Sequence, residues 1–133
     1  LSVALLDEWE MKIEKLAQIT ANENVTSIAG VPTWTLLLLK RILEIKGKST
    51  IREVWPNLEL YINGGVSFIP YKDQFDKLIG EKINYLEIYN ASEGFIAAQV
   101  KPDDDGMLLF TEHGIFYEFM PVEEYKKKDD RLH

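Results

Sequence analysis

The residues best suited to chemistry stand together at Tyr89-Asn90-Ala91-Ser92-Glu93-Gly94. They follow the β-branched and aromatic run Ile83 to Tyr89, which reads as a strand ending in a tight polar loop. An aromatic ring, a hydroxyl, a carboxylate and a glycine in this order suit a nucleotide. The ring can stack on a base, the hydroxyl can bond a phosphate and the carboxylate can hold Mg²⁺. Such a cation is commonly held by one or two carboxylates plus substrate phosphates and water, so Glu93 beside Ser92 is compatible with it. The same residues also read as a strand followed by an ordinary polar turn, because short motifs recur by chance.

Two further loops carry glycine. In Asn63-Gly64-Gly65-Val66-Ser67 the glycine pair removes two side chains, so that a flat base or a phosphate can reach the backbone. A tight turn needing positive φ is the simpler explanation of the pair in isolation. The usual phosphate-loop signatures are missing, since no Gly-Lys-Ser or Gly-Lys-Thr follows and no Gly-x-Gly-x-x-Gly occurs. The third loop is Gly30-Val31-Pro32-Thr33. His113 falls in a predicted hairpin turn and His133 is terminal, so no Ser-His-Asp arrangement follows from them. Asp103 to Asp105 resembles a calcium loop only superficially, because the closing Glu is lacking, and reads as a solvated turn. Trp9 and Trp34 lie at helical spacing and are expected in the core, while Tyr61 and Phe68 fit core or site.

The elements that must position these residues follow from periodicity. Leu5, Trp9, Ile13, Leu16 and Thr20 recur at helical steps and predict an amphipathic helix ending near Glu23. Asn24 to Ala29 reads as a strand. Thr33 is the expected N-cap of an apolar helix, Trp34 to Ile45, closed by Gly47. Thr50 and Glu53 form a capping-box pattern before a short helix that Pro56 ends. Leu58 to Ile62 is the second strand, and Tyr71 to Leu78 a helix with Pro70 at its start and Gly80 past its end. Ile83 to Tyr89 is the third strand. Phe95 to Val100, Met107 to Thr111 and Ile115 to Met120 then read as three strands without helices between them. Asp103 to Gly106 turns between the first two, and Glu112-His113-Gly114 makes a hairpin between the last two.

The predicted fold is therefore α/β: a parallel βαβαβ sheet with flanking helices, followed by a short β-meander. In such sheets ligands bind beyond the carboxyl ends of the strands. All three glycine-containing loops fall at those ends and hence on one edge of the sheet. This makes the edge a candidate ligand site.

Composition excludes several classes. With 133 residues and 46% hydrophobic content the chain can build a core. A formal charge of −7 argues against nucleic acid as a partner. The absence of Cys removes disulfides, zinc-thiolate sites and thiol catalysis, and fits a cytoplasmic location. No apolar run approaches the roughly 18 residues of a membrane span, and no secretory signal is evident. Residues 1–125 read as a single α/β domain, and residues 126–133 as a charged, disordered tail.

In order along the chain stand GVPTWTLLLLKRILE, IREVWPNLELYINGGVSFIPY, YLEIYNASEGFIAAQ and GIFYEFMPVEE. From Val25 to Glu124 the sequence resembles the auxin-responsive acyl-acid amido synthetase family, in its bacterial branch, within the adenylate-forming superfamily. Tyr89-Asn90-Ala91-Ser92-Glu93 resembles that family's aromatic-x-x-Ser-Glu motif, and Ile62 to Tyr71 its glycine-pair segment. The resemblance implies an enzyme that adenylates a carboxylic acid with ATP and Mg²⁺, then passes the acyl group to an amino acid amine. It implies that Tyr89 packs on adenine, Ser92 bonds a phosphate and Glu93 binds Mg²⁺. Gly64, Gly65 and Val66 would line the adenosine pocket, and Val31, Pro32 and Thr33 the path of the acyl group. The family's Ser/Thr/Gly-rich phosphate loop, its Gly-Asp motif and its small C-terminal domain have no counterpart here. The chain is thus expected to be a central fragment of the large domain of such an enzyme, inactive alone and prone to self-association through apolar surfaces such as the four-leucine helix. The alternative is a freestanding binding or interaction module with the same fold and no catalysis.

Overall fold

A computed structural model describes residues 9–102, 104 and 106–129. Helix α1 (Trp9–Thr20) is followed by strand β1 (Ser27–Gly30), helix α2 (Pro32–Lys46) and strand β2 (Leu60–Gly64). Helix α3 (Lys72–Ile79), strands β3 (Asn84–Ala91), β4 (Gly94–Ala98) and β5 (Leu108–Leu109), and helix α4 (Val122–Asp129) complete the order. Single 3₁₀ turns at Ile51–Glu53 and Ile69–Tyr71 precede β2 and α3.

The five strands form one sheet in the order β1-β2-β3-β4-β5. β1, β2 and β3 run parallel, with Ile28 beside Tyr61 and Tyr61 beside Tyr85. β4 and β5 are antiparallel additions. The predicted α/β sheet with a β-rich continuation is therefore present. Alternation along the strands divides the sheet into two faces. Tyr61, Asn63 and Tyr85 lie on the face that α2 and α3 cover, and all three are buried. There Tyr61 stacks on Phe75 with ring centroids 4.6 Å apart and meets Phe68 edge-on at 5.5 Å. Leu39, Ile42, Ile51, Trp55, Leu58 and Ile79 complete this core. Tyr61 and Phe68 are thus core residues. α1 packs on α2 through Ala17, and Arg41 of α2 reaches Glu14 of α1 at 2.6 Å. The opposite face, carrying Leu60, Ile62, Leu86 and Ile88, is only half-buried.

Local chemistry explains the boundaries. Val31, not Thr33, is the N-cap of α2, because Pro32 occupies the first turn, where its missing N–H costs nothing and its fixed φ is already helical. Thr33 therefore sits inside the first turn and makes no cap. Gly47 ends α2 in the left-handed region with φ 59°, and Gly80 ends α3 at φ 87°. The capping box is formed: the Glu53 carboxylate accepts from the Thr50 backbone N–H at 3.0 Å, which holds its pKa below the usual carboxylate range.

Three expectations change. Trp9 and Trp34 are not core residues; they stack on each other at the surface, centroids 4.2 Å apart, each about half exposed. Ile115 to Met120 forms no strand, and Glu112-His113-Gly114 is consequently a turn without a hairpin. The reason is the partner: β5 has only two residues and offers almost no ladder to extend. The segment is instead held beside β5 by the Tyr117 hydroxyl, which donates to the Phe110 carbonyl at 3.2 Å. Finally, α4 runs through Lys126 to Asp129, the first part of the segment expected to be a disordered tail. Leu5, Asp103, Asp105 and residues 130–133 lie outside the described residues. No helix among the described residues is long and apolar enough to cross a membrane.

Candidate ligand groove at the carboxyl edge of the sheet

Because β1, β2 and β3 are parallel, their carboxyl ends meet on one edge. A groove of about 320 Å³ opens there, lined by Ala29, Gly30, Val31, Ile62, Gly64, Gly65, Ile88 and Asn90. It brings together two of the three glycine loops and the end of β3.

Glycine is required at several of these positions for reasons of space. A Cβ on Gly64 would stand 2.8 Å from the Ile88 carbonyl oxygen and 3.2 Å from Asn90 Oδ1. Strand β2 therefore leaves no room for a side chain at Gly64, because the Ile88 carbonyl and the Ile88 and Asn90 side chains already fill that space. Gly65 has φ 83°, in the left-handed region, where it turns the chain out of the sheet. A Cβ on Gly30 would stand 2.9 Å from Thr35 Oγ1. The groove is thus lined by glycine main chain together with the side chains of Ala29, Val31, Ile62, Ile88 and Asn90, and at Gly64 and Gly65 a planar ring or a phosphate can approach the backbone.

Val31 and Pro32 sit where β1 turns into α2. Val31 is exposed and lines the groove, Pro32 is buried and Thr33 is exposed. Val66 is exposed just past the glycine pair. β3 continues through Asn90 and Ala91, so Ser92 and Glu93 form the two-residue tip of the β3–β4 hairpin, with Ala91 beside Gly94. Both are exposed. Tyr89 is 54% exposed, and a bulge lies between it and Asn90. Strand alternation turns Tyr89 away from the face that carries Ile88. The groove wall from β3 is therefore Ile88 and Asn90, while Tyr89, Ser92 and Glu93 stand beside it on the hairpin. Asn90 was not singled out by type or spacing, although it lies inside the motif. Its signal is the pairing of Gly64 with Ile88, which only the register reveals.

Among the described residues no cluster of three or more His, Cys, Asp or Glu side chains gathers. Glu93 offers a single exposed carboxylate at a hairpin tip. That fits a hard cation whose other ligands are phosphate oxygens and water, not an all-protein cage.

The N-terminal domain of the GH3 family matches residues 1–83 of this sequence. The chain belongs to the GH3 family. At the level of the family, the resemblance carried by the motifs is borne out. The matched stretch of the GH3 domain contains Val31 to Thr33 and Gly64 to Val66; the Tyr89 to Glu93 motif lies beyond it. No curated protein matches the sequence. Among solved structures, the chain is similar to the Vibrio cholerae adenylation domain AlmE in complex with glycyl-adenosine-5'-phosphate, at 14% identity and a TM-score of 0.43. The similarity covers 80% of this GH3 chain and 18% of that one, so the chain spans less than a fifth of its length.

Proposed function

We propose that this GH3 chain carries part of the nucleotide and acyl site of an ATP-dependent acyl-acid amido synthetase of the bacterial branch, acting in the cytoplasm. Such an enzyme adenylates a carboxylic acid and passes the acyl group to an amino acid amine. The observation that carries the reading is the glycine-lined groove at the carboxyl edge of a parallel sheet, in a chain that belongs to GH3. Gly64, Gly65 and Val66 would receive adenosine, with the Tyr89 ring beside the base. Val31, Pro32 and Thr33 would border the acyl group from the opposite wall. Ser92 would donate to a phosphate oxygen, and Glu93 would hold Mg²⁺. The metal, when bound, offsets charge on the departing pyrophosphate. What the chain itself contributes is position, which suits phosphorus chemistry that needs no protein nucleophile.

The test is acid-dependent exchange of pyrophosphate into ATP by the longest natural polypeptide carrying this sequence. Activity that falls at least a hundredfold in Glu93→Ala, with the fold intact, supports the reading. The chain alone should catalyse no exchange. A parent that binds no nucleotide would instead favour a freestanding interaction module.

A further inference from the structure

Two buried hydroxyls converge on the wall of the groove. The Tyr61 hydroxyl, on β2, donates to the Gly30 carbonyl at 2.8 Å. Thr35 Oγ1, in the first turn of α2, donates to the Val31 carbonyl at 3.1 Å. Each hydroxyl has one proton, and both are used. The 3.4 Å approach between the two oxygens is therefore a contact, not a third bond. Tyr61 is fully buried and Thr35 is 7% exposed. Gly30 lacks the Cβ that would stand 2.9 Å from Thr35 Oγ1, so the hydroxyl can nestle against the backbone only because that residue is glycine.

The two consecutive carbonyls held in this way belong to Gly30 and Val31, both of which line the groove. Pro32 follows and donates no hydrogen bond of its own. The Thr35 backbone N–H also donates to the Val31 carbonyl at 3.0 Å, so that carbonyl is held by the side chain and the main chain of one residue. The corner between β1 and α2 is fixed from behind by side chains that never reach the groove.

We infer that Tyr61 and Thr35 are positioning residues for the acyl substrate: their hydroxyls set the place of the Gly30–Val31 backbone, and through it the wall against which the carboxylic acid is seated. This rests on the proposed acyl-adenylating reading. Tyr61 could have been ordinary core filling, and its ring does pack against Phe68 and Phe75. Filling the core, however, needs only the ring. The hydroxyl is the part that touches the site wall, and removing it separates the two roles.

The experiment measures pyrophosphate exchange in the parent enzyme carrying Tyr61→Phe, Thr35→Val or Thr35→Ser, with KM taken separately for the acid and for ATP. One neutral hydrogen bond corresponds to up to about a tenfold change. The expected result is a rise of about three- to tenfold in KM for the acid in Tyr61→Phe and Thr35→Val, little change in KM for ATP, and recovery in Thr35→Ser, which keeps the hydroxyl. Variants that fold and show an unchanged KM for the acid would overturn this assignment alone. So would equal rises for acid and ATP without recovery in Thr35→Ser, the pattern of a general loss of structure. A wild-type parent without exchange overturns the acyl-adenylating reading and the assignment with it.

Discussion

Val31 and Gly65 meet across the ends of adjacent strands: a Cβ on Gly65 would lie 3.4 Å from Val31 Cγ2, in ordinary contact. Gly65 therefore has room for a methyl group, and its obstacle is φ 83°. Gly64 is the reverse case, blocked by the Ile88 carbonyl at 2.8 Å. Gly65→Ala should cost about 1–2 kcal/mol, the usual strain of a side chain in the left-handed region. Gly64→Ala should cost more, about 2–3 kcal/mol, because the clash is with backbone in a paired strand. Urea midpoints of the two variants check the order; a smaller loss in Gly64→Ala would show that β2 can slide away from β3.

Trp55 joins α1 to the rest of the core. It is 1% exposed, and its indole N–H donates to the Thr20 carbonyl at 2.8 Å, in the last turn of α1. Thr20 keeps a second donor, the Glu23 N–H at 3.1 Å, so its carbonyl is not orphaned when the indole is lost. Trp55→Phe should thus cost about 2–3 kcal/mol from the lost bond and the smaller ring together. Thermal unfolding measures this, and an unchanged melting temperature would remove Trp55 as the anchor of α1.

Stability should fall at alkaline pH through two buried phenols. Burial pushes Tyr61 up to about 12. Burial also raises Tyr85 well above its ordinary value, and its hydrogen bond to Asp76 at 2.6 Å adds to the shift. The folded state thus binds these protons more tightly than the unfolded chain, whose tyrosines titrate near 10. The contribution is fully present below about pH 10 and is lost as pH rises through the folded-state values. Denaturation midpoints between about pH 8 and 12 should decline only in the upper half of that range. In Tyr85→Phe the decline should be shallower.

Phe116 and Phe119 are 87% and 80% exposed, and Leu108, Met120, Val122 and Tyr125 are more than half exposed. So many large apolar groups on one short stretch favour association. The isolated chain should show a concentration-dependent mass in sedimentation, and Phe116→Lys with Phe119→Lys should shift it toward the monomer. A monodisperse wild-type chain at high concentration would argue that this surface is inert.

Much of this was readable from residue types. Ile28 and Tyr61, or Gly47 and Gly80, stand where local chemistry and tertiary packing agree. The boundary of α2 falls at Val31 although Thr33 has the better capping side chain, because Pro32 fixes the backbone one residue earlier. Ile115 to Met120 has the composition of a strand, but a strand is completed by its neighbour, and β5 is too short to supply one. Trp9 and Trp34 satisfy helical spacing for a core, yet each finds its apolar partner in the other ring. The groove edge was legible from topology. Asn90 was not, since its place beside Gly64 depends on register, and register has no local signal.

The strands lie side by side in the order in which the chain makes them. No strand must be inserted between two neighbours already paired, so the sheet can be laid down from one border as the polypeptide emerges during synthesis. Each new strand finds its template finished. The carboxyl edge that forms the groove is complete as soon as β3 docks, before β4 and β5 are added.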